Sequence, residues 1–205
     1  MKRIASVLAT GVLSFLLAAC ISRSAGWLFE FNGDKKYALV VYDIYFISED
    51  WPNYALYLFP YDPATGVINP KKRIKTGSGF ISKHGNSGVE FYAGTADPGT
   101  YVAAFLFYQT QGKKTILCFP EQALLVPIEP GKIHYLGEMT FPLDHPEGVT
   151  YEKFEALSHD AAHVRGRLAK YPNVSGEIVI VPQVYVAFDP GTPTRENACI
   201  AGYAS

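Results

Sequence analysis

Short apolar runs separated by turn signals are the feature of this 205-residue sequence that most restricts its fold. Asp97-Pro98-Gly99 precedes one run and Glu129-Pro130-Gly131-Lys132 precedes another, and such residues are typical of tight turns. Short strands with turns every 8–12 residues or so predict an antiparallel β-sandwich or a barrel. The runs are Tyr37–Ile47, Tyr54–Phe59, Val89–Ala93, Thr100–Gln109, Thr115–Phe119, Ala123–Ile128, Ile133–Phe141 and Gly176–Phe188.

Side-chain alternation, and in one case a proline, assigns places to four of these runs. Thr100–Gln109 is apolar on both faces, which indicates a central strand. Tyr37–Ile47 has one apolar face, and Asp43 lies on the other. Gly176–Phe188 contains Pro182, so we expect this run to bend or to lie at an edge. In Ile133–Phe141, strict alternation predicts two faces: Ile133, Tyr135, Met139 and Phe141 on one, and His134, Leu136 and Glu138 on the other.

One segment has helical periodicity. Its apolar residues recur at a spacing that places them on a single stripe, which predicts an amphipathic helix over Tyr151–Lys170, ended by Pro172. We expect this helix to cover one face or one open end of the sandwich. The stripe consists of Phe154, Leu157, Ala161, Val164 and Leu168.

The N-terminal region begins with a leader. Lys2 and Arg3 precede the uncharged, mostly apolar run Ile4–Leu17, which is shorter than the roughly 20 residues that a membrane-spanning helix needs. This pattern is typical of a secretory signal peptide, here residues 1–19.

A hairpin is predicted after the leader. Asn32-Gly33 lies between apolar runs and predicts a hairpin that joins Trp27–Phe31 to the run from Tyr37.

The end of the leader carries a specific motif. Leu17-Ala18-Ala19-Cys20 resembles the lipobox of bacterial lipoprotein precursors, in which the cysteine thiol takes the lipid. The resemblance implies a protein of the bacterial cell envelope, lipid-anchored through Cys20 to the outer membrane and facing the periplasm. The expected organisation is then an anchor and tether over residues 20–26, a domain over 27–190 and a tail over 191–205. A tether of six residues reaches about 20 Å at most.

Two further motifs resemble a family of folds. Pro98-Gly99-Thr100-Tyr101 opens one run, and Pro130-Gly131-Lys132-Ile133-His134-Tyr135-Leu136-Gly137 opens another. This spacing resembles bacterial lipoprotein families that have an immunoglobulin-like or transthyretin-like β-sandwich. The resemblance implies a fold and no reaction.

The net charge of the chain without its leader restricts the classes of molecule that it can bind. Without the leader, 16 basic residues stand against 19 acidic ones, a formal charge of −3, which does not favour nucleic acid. The expected partners are the membrane, through the lipid on Cys20, and other envelope proteins.

With Cys20 assigned to the lipid, two cysteines remain, Cys118 and Cys199. In an oxidising compartment they favour one disulfide bridge, worth roughly 4–5 kcal/mol for a loop of about 80 residues. Two unpaired thiols are the alternative.

Candidate chemical groups lie on the predicted helix and on one strand. Glu155, His159 and His163 are four residues apart, a spacing that suits a metal ion, although the helical period places them opposite the apolar stripe and so favours a water-facing position. His134 and Glu138, with Asp43 across the sheet, have the residue types of an acid–base site or of a satisfied polar patch. The polar patch is the favoured interpretation. We therefore expect no metal and no cofactor.

The tyrosines have two interpretations. They could line a groove for a sugar or peptide, or they could be half-buried strand residues, which is more common. The residues are Tyr42, Tyr45, Tyr54, Tyr57, Tyr61 and Tyr108.

No serine nucleophile elbow and no phosphate-binding loop occurs in the sequence. The sequence therefore favours a non-enzymatic binding or scaffolding protein close to the membrane. A glycan or small-ligand binding module and an envelope hydrolase are the alternatives.

Overall fold

The computed structural model describes residues 30–45, 53–69, 72–76, 82–83, 89–110, 113–119, 122–140, 148–151 and 154–186. These residues form two β-sheets and a short helix, as the sandwich prediction requires. The elements are β1 Ala38–Tyr45, β2 Asn53–Asp62, β3 Val67–Ile68, β4 Ile74–Thr76, β5 Ser82–Lys83, β6 Val89–Ala96, β7 Gly99–Thr110, β8 Lys113–Cys118, β9 Ala123–Ile128, β10 Lys132–Thr140, β11 Gly148–Tyr151, β12 Ala156–Leu157, α1 Ala161–Leu168, β13 Glu177–Ile180 and β14 Tyr185–Val186.

The first sheet has the order β12-β10-β1-β6-β5, and β13 also pairs with β10. The second sheet has the order β11-β8-β7-β2-β3, with β4 on β2, β9 on β7 and β14 on β9. Most neighbours run antiparallel, whereas β1–β10, β10–β13 and β8–β11 run parallel. Strand β4 of the second sheet also contacts β6 of the first, so the two sheets curl toward each other on that side.

Three apolar clusters divide the fold into layers. The interlayer core lies between the sheets and includes Tyr42, Leu56, Leu106 and Leu136. The helix-side cluster lies on the other face of the first sheet, where Val164 and Leu168 of α1 pack on the strands. The outer cluster lies on the other face of the second sheet; its buried members are Phe59, Ile68, Val102, Ala104, Phe105, Ile116, Cys118 and Ala123.

The placement of several strands confirms the sequence prediction. Strand β7 is central, because β2 pairs with one of its edges and β8 and β9 share the other. The run that contains Pro182 is interrupted there: β13 belongs to the first sheet and β14 to the second. Because proline lacks an amide donor, the chain leaves one sheet at this point and crosses to the other.

The predicted helix over Tyr151–Lys170 is wrong in its N-terminal half. Tyr151 ends β11, β12 follows at the sheet edge, and the helix begins only at Ala161. Asp160 caps it, because the Asp160 carboxylate accepts the amide N–H of His163 at 2.9 Å. The supposed stripe is therefore split. Phe154 lies in the interlayer core, and Leu157 is 61% exposed.

Gly137 breaks the predicted alternation of β10. It has a φ of +115°, and the pairing with β1 shifts by one residue between Val41 and Asp43. The extra residue forms a bulge, so side chains beyond it change faces. Tyr135 packs in the helix-side cluster, whereas Met139 packs in the interlayer core. The prediction that these two residues share a face, and that His134 shares one with Glu138, is wrong.

The hairpin predicted at Asn32-Gly33 is also wrong within the described residues. A turn does form, since the Lys35 amide donates to the Asn32 carbonyl at 3.2 Å. Phe31, however, forms a parallel bridge with Val174 rather than with β1. The hydrogen bonds of Phe31 to the segment after α1 replace those of a hairpin.

Several predictions concern parts of the chain outside the described residues. These are the signal peptide 1–19, Cys20, the tether 20–26, Cys199 and the tail 191–205. The Cys118–Cys199 pairing therefore stays a prediction, and so do the boundaries of the domain over 27–190. Of the helices that the structure describes, none has the length and apolar character needed to cross a membrane.

The turn before β10 provides a test of backbone packing. Gly131 and Gly66 both have a φ near +70°, but a Cβ on Gly131 would collide with the Gly33 carbonyl oxygen, whereas a Cβ on Gly66 meets nothing. We expect Gly66→Ala to lower the free energy of unfolding by about 1–2 kcal/mol through backbone strain alone. Gly131→Ala should lower the free energy of unfolding by roughly 1–3 kcal/mol more than Gly66→Ala does, because the turn that contains Gly33 must move. Urea unfolding measures both, and equal losses would contradict the packing.

Candidate functional site

A cluster of polar side chains lies between the first sheet and the helix. Three of its members come from adjacent strands, one from β1 and two from β10. The other three follow at intervals of four residues from the loop before α1 to the end of that helix. We call this set the carboxylate–histidine cluster: Asp43, Tyr135, Glu138, His159, His163 and Arg167.

Asp43 is the centre of the cluster and is completely buried. The Tyr135 hydroxyl donates to its Oδ2 at 2.9 Å, and His163 Nε2 lies 3.0 Å from the same oxygen. The Arg167 guanidinium pairs with Oδ1 at 2.8 Å. A buried carboxylate needs such partners, since an uncompensated charge costs several kcal/mol in a protein interior.

The second carboxylate, Glu138, pairs with a histidine in the same way as Asp43 does. Glu138 Oε2 lies 3.2 Å from His159 Nε2, and Glu138 is the register partner of Asp43 across β1 and β10. The imidazoles of His159 and His163 stack on each other, with centroids 4.1 Å apart and planes at 15°. Both rings are therefore oriented by a carboxylate and by each other.

The two imidazoles and Glu138, whose side chain is 21% exposed, are the members of the cluster that water reaches most. The His159 and His163 side chains are 27% and 29% exposed. The interpretation that they face away from the packed side of the helix is wrong. Because α1 begins after His159, that residue is not on the helix. His163 is on the helix, but its ring contacts Asp43 of the sheet.

The Tyr135 hydroxyl is fixed in its protonated form. Burial raises the pKa of Tyr135 far above its ordinary value, and the nearby charge of Asp43 and the hydrogen bond to it raise it further. The phenol therefore acts as a hydrogen-bond donor to Asp43 and supplies no readily released proton.

His134 lies apart from this cluster. Its Nε2 accepts the backbone N–H of Glu129 at 3.0 Å in one tautomer, and it alternates along β10 with Ile133 and Tyr135 of the helix-side cluster. Burial lowers the pKa of His134, which favours the neutral ring. The structure thus joins Asp43 and Glu138 with His159 and His163, whereas sequence reasoning had grouped the two carboxylates with His134.

Tyr135 and Arg167 were not predicted as site residues. The spacing of 159, 163 and 167 contained a signal for Arg167, but the sequence interpretation extended the series in the other direction, to Glu155. Glu155 is exposed. In the described part of the chain, no group of three or more His, Cys, Asp or Glu residues is arranged to hold a metal ion.

The tyrosine side chains that the structure describes do not line a common groove. Tyr42 and Tyr54 are buried in the interlayer core, whereas Tyr57 and Tyr61 pack on the opposite face of the second sheet, against the outer cluster. Burial raises the pKa of Tyr42 to about 12, and its hydroxyl accepts the Leu56 amide N–H at 3.2 Å. Tyr45 is at the end of β1, and the side chain of Tyr108 is outside the described part.

Comparisons with known proteins identify no family. Neither a protein-family model nor a curated protein matches the sequence. One matching solved structure, from Bacteroides fragilis, is titled a "putative cell adhesion protein". It is 8% identical with a TM-score of 0.32, and the match covers 62% of this chain and 48% of that one. The chain thus spans about half the length of that neighbour, and a likeness of this degree carries no inference about function.

The buried charge at Asp43 gives a prediction about stability. Asp43→Asn leaves the mostly buried Arg167 without its counter-charge, so we expect the free energy of unfolding to fall by about 3–5 kcal/mol. Glu177→Gln is the control, because Glu177 forms an exposed pair with Lys132 at 3.4 Å. An exposed pair contributes about 1 kcal/mol or less. Urea unfolding of the unlipidated domain measures both, and a similar small loss in each variant would contradict the argument.

Proposed function

We propose that this chain is a lipid-anchored protein of the bacterial cell envelope that binds other envelope proteins close to the membrane and is not an enzyme. The observation that carries the proposal is the lipobox sequence Leu17-Ala18-Ala19-Cys20 after a charged and apolar leader. Lipid on Cys20 and a tether of six residues hold the domain within about 20 Å of the bilayer. The proposed location is the outer membrane, facing the periplasm.

The two carboxylates of the carboxylate–histidine cluster have a structural role that requires no catalysis. Asp43 is engaged by three side chains, and Glu138 is paired with His159. A catalytic acid or base needs a free position at which a substrate proton can approach within hydrogen-bond distance. In this cluster both carboxylates pair with protein side chains, and Asp43 connects the helix to the sheet.

The half-exposed histidines favour one alternative, an envelope hydrolase. A histidine that is oriented by a buried carboxylate and reaches solvent is the usual arrangement of a general base. His163 beside Asp43 has this form. The experiment below separates this alternative from the main proposal.

We expect the cellular role to depend on Cys20 and not on the histidines. In cells fed a lipid analogue, the wild-type protein and Cys118→Ala should be labelled and should sediment with membranes. Cys20→Ala should lose the label and the envelope phenotype, because the domain is no longer held at the bilayer. His159→Asn and His163→Asn should keep the phenotype wherever circular dichroism shows a folded domain.

Two results would defeat the proposal. The first is lipid labelling of Cys20→Ala at the wild-type level, which would rule out the anchor. The second is loss of the phenotype in a folded, membrane-bound His163→Asn protein, together with turnover of an envelope substrate by the purified wild-type domain. That second result would establish the hydrolase instead.

A further inference from the structure

A buried histidine contacts the turn that connects the two sheets. Strand β9 of the second sheet ends at Ile128 and β10 of the first sheet begins at Lys132, so residues 129–131 alone join the sheets here. His134 of β10 is completely buried. Its Nε2 lies 3.0 Å from the backbone nitrogen of Glu129 and 3.2 Å from the carbonyl oxygen of the same residue. A single ring nitrogen therefore makes both contacts of this side chain with the turn.

The other ring nitrogen of His134 has no comparable contact. Nδ1 is buried and lacks a hydrogen-bond partner among the described residues. A neutral imidazole has one N–H donor and one acceptor nitrogen, whereas a protonated ring donates from both nitrogens. With its proton on Nδ1, the neutral ring accepts the Glu129 N–H at Nε2. A second proton, on Nε2, takes this acceptor away and leaves two ring donors with only the Glu129 carbonyl oxygen between them.

The charged groups near the ring belong to the turn, to the start of β10 and to β13. Lys132 pairs with the Glu129 carboxylate at 2.9 Å and with Glu177 of β13 at 3.4 Å. The register partners of His134 on β1 and β13 are both valines, and β9 contains no charged residue. Burial lowers the pKa of His134 and outweighs the opposing effects of the Glu129 backbone and of the Glu129 and Glu177 carboxylates. The surroundings thus favour the neutral ring.

We propose that the turn between the sheets is an acid-sensitive connection, held while His134 is neutral and loosened when His134 takes up a proton. Imidazole is the side chain that ordinarily changes charge between pH 5 and 8. The unfolded chain binds this proton more readily than the folded chain, so the folded form loses stability as the pH falls below about 6.5. For one proton, the unfolding equilibrium constant rises by up to about tenfold per pH unit in that range.

A nitrogen NMR titration of the full mature chain tests the proton uptake at the ring. His134 should gain its proton at a lower pH than it does in the same chain unfolded in urea. The Glu129 amide should lose its protection from hydrogen exchange together with that step, after correction for the intrinsic effect of pH on exchange. Proton uptake at the same pH in both states, or an unchanged Glu129 amide, would overturn the proposal.

Replacing the ring with a neutral acceptor tests the effect on stability. His134→Gln does not titrate but retains an oxygen that can accept the Glu129 N–H, so its unfolding midpoint in urea should fall less between pH 7.5 and 5.5 than that of the wild type. His159→Gln is the matched control, because His159 is partly exposed and pairs with Glu138 away from the turn.

The control should show at least the wild-type fall in its unfolding midpoint over the same pH range. An equal fall in the wild type and His134→Gln would overturn the proposal, since the loss would then come from groups other than this ring. If His134→Gln does not fold, the titration of the wild-type chain decides.

Discussion

The constraint on which this structure depends is the buried charge of Asp43. A carboxylate without contact to water must be compensated, and the fold brings three side chains to it from two elements. Tyr135 comes from the neighbouring strand, and His163 and Arg167 come from the helix. The helix can therefore occupy one position on the sheet, the position in which both of these residues reach the same carboxylate. Apolar packing of Val164 and Leu168 then holds it in place.

The rest of the architecture follows from the need to shield both faces of each sheet from water. Two sheets share the interlayer core, and each has a second apolar face that must also leave water. On the first sheet, an eight-residue helix and the segment around Val174 pack on this face. That short helix presents two basic residues in its last turn, and only Arg167 of these reaches the buried carboxylate. The charge cluster thus specifies where the helix sits, while the apolar contacts supply much of its stabilisation.

Strand content could be predicted from the sequence because it is local. The run Ala123–Ile128 coincides with β9, and the interruption at Pro182 marks a change of sheet. Proline and apolar alternation act within a few residues, so no knowledge of the fold is needed to recognise them. The charged residue inside an apolar run, Asp43, was also a genuine signal of the site.

The other features of the site depend on distant pairing and could not be read from the sequence. Gly137 looks like any turn glycine, yet its positive φ shifts the register of β10 and moves Glu138 to the side of Asp43. The helical spacing of Phe154 and Leu157 arose by coincidence, since strand pairing with β10 takes precedence there. Because the helix was predicted to start too early, His159 and His163 were assigned to the wrong environment.

A double-mutant cycle between Asp43 and Arg167 tests the central claim most directly. Urea unfolding would be measured for the unlipidated wild-type domain, Asp43→Asn, Arg167→Met and the double variant. The account predicts that the two losses are strongly non-additive, with a coupling free energy of about 1–3 kcal/mol, because each substitution alone leaves the other group buried without its partner. Additivity within about 0.5 kcal/mol would show that the pair does not hold the helix to the sheet, and would contradict the account.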